Sequence, residues 1–96
     1  MHLDYDTFVM GTDKEAALKP LEEAAEVFGA WQVLAHGAVL DSMTHQPPIT
    51  EHRQMRLADE LADCIQACCN LAARFDLDLD AAMLRCRERN HRRGRY

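Results

Sequence analysis

A chain of 96 residues, 48% hydrophobic and 28% charged, has the composition of one globular domain or one subunit of an assembly, and excludes a disordered tail. The net charge of −5 is unevenly spread: residues 85–96 hold six arginines and one acid (+5), and residues 1–84 hold five bases and fifteen acids (−10). An acidic body with a basic end is not the uniform footprint of a duplex-DNA binder, and no apolar run approaches the 18 residues of a membrane span.

Residues 1–12 are mixed and carry Asp4 and Asp6 without a basic stretch, unlike a secretory signal. Gly11-Thr12 reads as a break, with Thr12 or Asp13 as a helix N-cap. Pro20 disfavours helical geometry at Lys19, so the main first helix is expected from about Pro20 to His36-Gly37, after a short helical turn. Residues 37–53, with Gly37, Asp41, Ser42 and Pro47-Pro48, read as a connector. A second helix is expected from about Gln54 to Arg74. Asp78 caps a third from Leu79 to about Arg92, ended by Gly94. No stretch alternates with period 2. The fold class is all-α: a helical hairpin with flanking helices, in one domain spanning residues 1–96.

The four cysteines, Cys64, Cys68, Cys69 and Cys86, lack the loop spacing of a disulfide framework and any C-x-x-C pattern. Buried free thiols in a reducing, cytoplasmic compartment are the favoured reading, with metal or redox use as the alternative. The five histidines show no ligand spacing. Trp31 reads as core or subunit interface, with stacking on a nucleobase as the alternative.

On a helical wheel Leu21, Ala24, Ala25, Phe28, Trp31 and Ala35 form an expected core face. Glu22, Glu23 and Glu26 fall on the other side. A solvated acidic face is the plain reading. However, that side continues into Gly29, Ala30 and Val33, and no Lys or Arg occurs between Lys19 and Arg53. The second helix has an apolar face of Leu57, Leu61, Cys64, Ile65, Cys68, Leu71, Ala72 and Phe75, edged by the stripe Glu60, Asp63, Ala67, Asn70 and Arg74. A surface pair between Arg56 and Glu60 is the plain reading there. Packed antiparallel, the helices bring Glu23, Glu26, Glu60 and Asp63 together. Four carboxylates without imidazole suit Mg²⁺, with Mn²⁺ as substitute, and suit zinc poorly.

The pattern Glu22-Glu23-x-x-Glu26 followed by Glu60-x-x-Asp63 resembles the E-E-x-x-E … E-x-x-D signature of MazG-like nucleoside triphosphate pyrophosphohydrolases, members of the all-α NTP pyrophosphatase superfamily. Lys19, Asn70 and the ending Asn90-x-x-Arg93-Gly94 are similar too, and the likeness covers about residues 14–94. The 33 residues between Glu26 and Glu60 exceed the family expectation, with the surplus near Pro47-Pro48.

The resemblance implies a helical bundle whose core is completed by oligomerisation, as a homodimer or homotetramer. It also implies hydrolysis of a nucleoside triphosphate to monophosphate and pyrophosphate. Glu23, Glu26, Glu60 and Asp63 would hold the metal and Glu22 would orient or deprotonate the water. Lys19, Asn70, Arg74, Arg89, Asn90 and Arg93 would contact the substrate, with Arg89 and Arg93 gripping the polyphosphate. A solvated basic tail is the plain reading of those arginines. Phosphoribosyl-ATP is the second substrate reading. A non-catalytic helical module whose basic tail binds nucleic acid or an acidic partner is the second class of function.

Overall fold

A computed structural model of the chain describes residues 6–44 and 50–96. It contains three helices, α1 (Asp13–Thr44), α2 (Thr50–Arg74) and α3 (Leu79–Arg92), and no strand among the described residues. No helix among those residues is long and apolar enough to cross a membrane.

Helix α1 begins before Pro20 rather than at it, and runs through it. Thr12 and Glu15 form a capping box: the Glu15 N–H donates to Thr12 Oγ1 at 3.2 Å and the Thr12 hydroxyl donates to Glu15 Oε1 at 3.2 Å. Pro20 removes one backbone donor, which a lone helix would feel as about 3 kcal/mol. Three contacts hold the turn in front of it: the cap, the buried Ala16, and the Lys19 ammonium reaching Glu22 and Glu23 beyond the proline.

Nor does Gly37 end the helix. A Cβ there would lie 2.2 Å from Arg53 Nη1, so the glycine admits the guanidinium of α2 and is not a terminating residue. The connector expected at 37–53 is therefore mostly helix. Pro47-Pro48 lie outside the described residues.

Helices α1 and α2 pack antiparallel. Arg53 near the start of α2 donates to both Asp41 carboxylate oxygens at 2.7 and 2.8 Å, and Arg74 at its end pairs with Asp13 and donates to the Met10 and Gly11 carbonyls at 2.7 and 2.9 Å. Between these anchors the inward positions recur every seven residues: Ala16, Glu23, Ala30 and Gly37 on α1, Arg53, Glu60, Ala67 and Arg74 on α2. That period is the seam of a two-stranded coil. Half of its positions are small, and at Gly37 this lets the Arg53 guanidinium come close to the backbone of α1.

This seam overturns the expected core. The fully buried apolar residues are Ala16, Ala30, Ala67, Cys69 and Ala72, whereas Leu21, Phe28 and Trp31 are 69%, 57% and 49% exposed. Large side chains on the seam would push the helices apart. The chain places them on the neighbouring face instead.

Helix α3 has the expected bounds. The Asp78 side chain accepts from Ala81 N–H at 3.0 Å, and Gly94 (φ +71°) closes the helix with Arg95 N–H on the Asn90 carbonyl and Gly94 N–H on the His91 carbonyl, both at 3.0 Å. It has no buried residue. The radius of gyration is 17.1 Å, against roughly 12–13 Å for a compact chain of this length. The elongated hairpin, whose α1 has 32 residues and runs about 48 Å at 1.5 Å per residue, and the α3 arm together account for the excess.

Two substitutions separate local from seam stability. Asp78→Ala should cost about 1 kcal/mol, the usual loss for an N-cap. Asp41→Asn strips a nearly buried guanidinium of its anion and should cost more, since the unpaired charge stays in place. Urea unfolding followed by helicity would rank them.

Candidate metal centre

The middle of the seam brings three carboxylates together. One oxygen each from Glu23, Glu26 and Glu60 lies within 4.8 Å of the others. Glu23 takes a seam position that alanine fills one heptad to either side, so it is only 8% exposed. Glu60 is half-buried opposite it, and Glu26, one turn from Glu23, lies at the mouth.

The bonding within this group is incomplete. Glu23 Oε1 receives the Lys19 ammonium at 3.3 Å, but Glu23 Oε2 and Glu60 Oε2 are buried without a hydrogen-bond partner. The expected Arg56–Glu60 pair does not form among the described residues. Leaving a buried acceptor unmet costs about 1–3 kcal/mol, and more when it is charged. Two such oxygens beside a third carboxylate fit a hard divalent cation bound through oxygen. Nitrogen and sulfur donors are missing from the group, which disfavours zinc.

Lys19 is tuned by the same acids. Its hydrogen bond to Glu23, reinforced by the charges of Glu23 and Glu22, raises its pKa above 10.5. The stabilisation this implies is complete below that ordinary value and is lost as pH rises through the raised one.

The other residues singled out from sequence lie in different settings. Glu22 is exposed beside the triad, 3.5 Å from Lys19. Asp63 is exposed one turn past Glu60 and stands outside the group of three. Asn70 is buried, and its Oδ1 accepts from Phe8 N–H at 3.1 Å and from Gln66 Nε2 at 2.9 Å. Arg74 spends its donors on Asp13, Met10 and Gly11, so both residues fasten the N-terminal segment to α2.

Arg89 and Asn90 lie on α3 and Arg93 caps its C-terminal end, away from the hairpin seam. Asn90 contacts Cys86 Sγ at 3.6 Å and accepts from Arg95 at 2.6 Å. All four thiols are free, but only Cys69 is fully buried. Cys68, expected inside, is exposed, and desolvation together with the neighbouring Cys64 and Cys69 raises its pKa. Trp31 stacks on Phe28 with centroids 5.6 Å apart and lines an apolar groove with Leu57 and Leu61.

The Arg53–Asp41 pair and the role of Gly37 were not anticipated from the sequence. The signal was the small side chains at Ala16, Ala30 and Gly37, a seven-residue spacing with Glu23 in between, which points past the glycine. Comparison with protein-family models, with curated proteins and with solved structures finds no match to this chain.

Millimolar Mn²⁺ or Mg²⁺ should raise the melting temperature, because a cation that binds only the folded chain stabilises it by linkage. EDTA should reverse the shift. Glu26→Gln should shrink it. Glu60→Gln should abolish it and leave the metal-free protein at least as stable as the parent, since one unpartnered charge has gone. Differential scanning fluorimetry across a metal titration reads all four outcomes.

Proposed function

We propose that this chain is a Mg²⁺-dependent nucleoside triphosphate pyrophosphohydrolase, with Glu23, Glu26 and Glu60 as its metal-holding core. The observation that carries the reading is the pair of buried, unpartnered oxygens, Glu23 Oε2 and Glu60 Oε2, in a cluster of three carboxylates. Such an arrangement is costly without a cation. The order Glu22-Glu23-x-x-Glu26 … Glu60-x-x-Asp63, which resembles the MazG-like signature, supplies the reaction class.

Asp63, exposed one turn beyond Glu60, is available as a fourth ligand once substrate and ion are present. The bound ion would neutralise phosphate oxygens and acidify water. Glu22, exposed and adjacent, takes the proton as the water oxygen bonds to phosphorus and the α–β anhydride bond breaks, leaving monophosphate and pyrophosphate. Lys19 spans Glu22 and Glu23, and thereby fixes the base relative to the ligands. The exposed Leu21, Phe28 and Trp31 favour a core completed as a homodimer or homotetramer.

A second reading draws on α3. An unpacked helix rich in arginine also suits a non-catalytic module that binds an acidic partner.

Pyrophosphate release from a panel of triphosphates and phosphoribosyl-ATP, with and without Mg²⁺, decides between these classes. Asp63→Asn and Glu60→Gln should each lower turnover by at least about 10²-fold, the order associated with losing one electrostatic contribution to the transition state. Helicity should be unchanged. Arg93→Ala should chiefly raise KM. An Asp63→Asn protein as fast as the parent would remove Asp63 from the site.

A further inference from the structure

The face of α1 that carries the acids continues past them. Lys19, Glu22, Glu26, Gly29, Val33 and His36 follow one another at spacings of 3, 4, 3, 4 and 3, and so form one stripe along the helix. Beyond Glu26 this face opens into a cleft of about 450 Å³ lined by Gly29, Gln32, Val33, His36, Gly37 and Arg53. That volume falls in the range of small-ligand sites, about 300–1,000 Å³. At 1.5 Å per residue the cleft begins about 4–5 Å past Glu26 and extends to His36, about 15 Å past it. On α2, Arg53 stands two turns before Glu60 in the same inward row. The candidate metal centre and the cleft are neighbours, and the apolar groove at Phe28 and Trp31 lies on another side of α1.

Gly29 leaves the cleft open. It has ordinary helical backbone, the positive φ values among glycines being at Gly11 and Gly94. A Cβ there would meet nothing within 4 Å. Glycine inside a helix is less stable than alanine, and here neither backbone geometry nor a neighbouring atom requires it. Gly37 differs, because Arg53 fills the space its side chain lacks. The space at Gly29 is left for something outside the hairpin.

The chemistry of the lining selects the occupant. No carboxylate lines the cleft, in contrast to the triad beside it. Gly29 and Val33 offer a small apolar surface. Gln32 and His36, one turn apart and exposed, have no hydrogen-bond partner among the described residues. A glutamine amide presents a donor and an acceptor side by side, the pair with which such side chains read a nucleobase edge. The other end of the face is taken. There Gln66 donates to the Asp6 carbonyl at 2.8 Å, Asn70 accepts from Phe8 N–H, and Arg74 donates to the Met10 and Gly11 carbonyls. Lys19, a cation suited to phosphate, lies towards that end.

We propose that this cleft is the nucleoside subsite, with the base over Gly29 and Val33 and Gln32 reading its edge. The α-phosphate then lies at the triad and the outer phosphates run towards Lys19. This rests on the reading of the triad as a nucleotide-cleaving centre, and it places discrimination between bases on α1.

Equilibrium binding of α,β-methylene nucleoside triphosphates, which cannot be cut between the α and β phosphorus atoms, tests the proposal in the full chain. With Mn²⁺ present, the wild type should bind its preferred analogue at least about tenfold more tightly than inorganic tripolyphosphate, which has no nucleoside, and a similar spread should separate the bases. Gly29→Leu fills the cleft at a position where a Cβ has room, so helicity and the metal-dependent melting shift should persist. Its affinity for the preferred analogue should fall to that for tripolyphosphate, which should itself be unchanged. Gln32→Ala should instead collapse the spread between bases.

A wild type that binds tripolyphosphate as tightly as every analogue would overturn the proposal. So would a folded Gly29→Leu protein with parental affinity for the analogues; loss of self-association in that variant would assign the cleft to contact between copies. Base preference retained in Gln32→Ala would overturn the role of Gln32. Binding needs no turnover, so the two readings fail separately. Cleft-dependent binding without pyrophosphate release would sink the enzymatic reading alone, and pyrophosphate release indifferent to Gly29→Leu would sink the subsite alone.

Discussion

The close approach of α1 and α2 governs the rest of this molecule. Alanines at 16, 30 and 67 and glycine at 37 leave little between the two helices, so the larger groups that enter the seam are half-buried or, for Glu23, buried. Four large groups do enter: Arg53 and Arg74 towards the ends, Glu23 and Glu60 in the middle. The ends are charge-balanced, Arg53 by Asp41 and Arg74 by Asp13. The middle is not. A seam that neutralises its charge at both ends and leaves two carboxylate oxygens unpartnered at its centre departs from self-consistency at one place, and such departures mark functional sites more often than structural ones.

Lys19 shows why the imbalance persists. It already supplies one positive charge to Glu23 and Glu22 from the surface side. Lys19 reaches Glu23 Oε1, while Glu23 Oε2 and Glu60 Oε2 stay buried without a hydrogen-bond partner. The cation proposed above would meet oxygens that no side chain among the described residues reaches. The carboxylates are fixed by helices on both sides, so such an ion would find its ligands pre-positioned.

Much of this was legible in the sequence, and the misses share one cause. Helix α3 was readable to the residue because its signals are local: Asp78 caps it and Gly94 ends it. The acids were readable as a group because charge without a nearby base is itself a pattern. Pro20 and Gly37 misled because their local preferences oppose helix: the cap, the buried Ala16 and the Lys19 pairs carry the chain past Pro20, and Arg53, distant in sequence, packs against Gly37. The core face was misassigned for a related reason. Hydrophobicity on a wheel selects Leu21, Phe28 and Trp31, but a close-packed pair of helices selects for size first, and the seven-residue row of small residues was the better guide.

That inversion ties the site to the surface. A hairpin built on a broad leucine seam would hide its large side chains inside and stand its helices further apart, with room for water around any acid between them. Building it on alanine and glycine dries the seam and confines the carboxylates, and it also displaces Leu21, Phe28 and Trp31 to the outside. The same choice of small residues therefore produces both the confined acids and the exposed apolar face. In a chain of 96 residues the two features cannot be chosen separately: the seam that confines Glu23 leaves that face exposed.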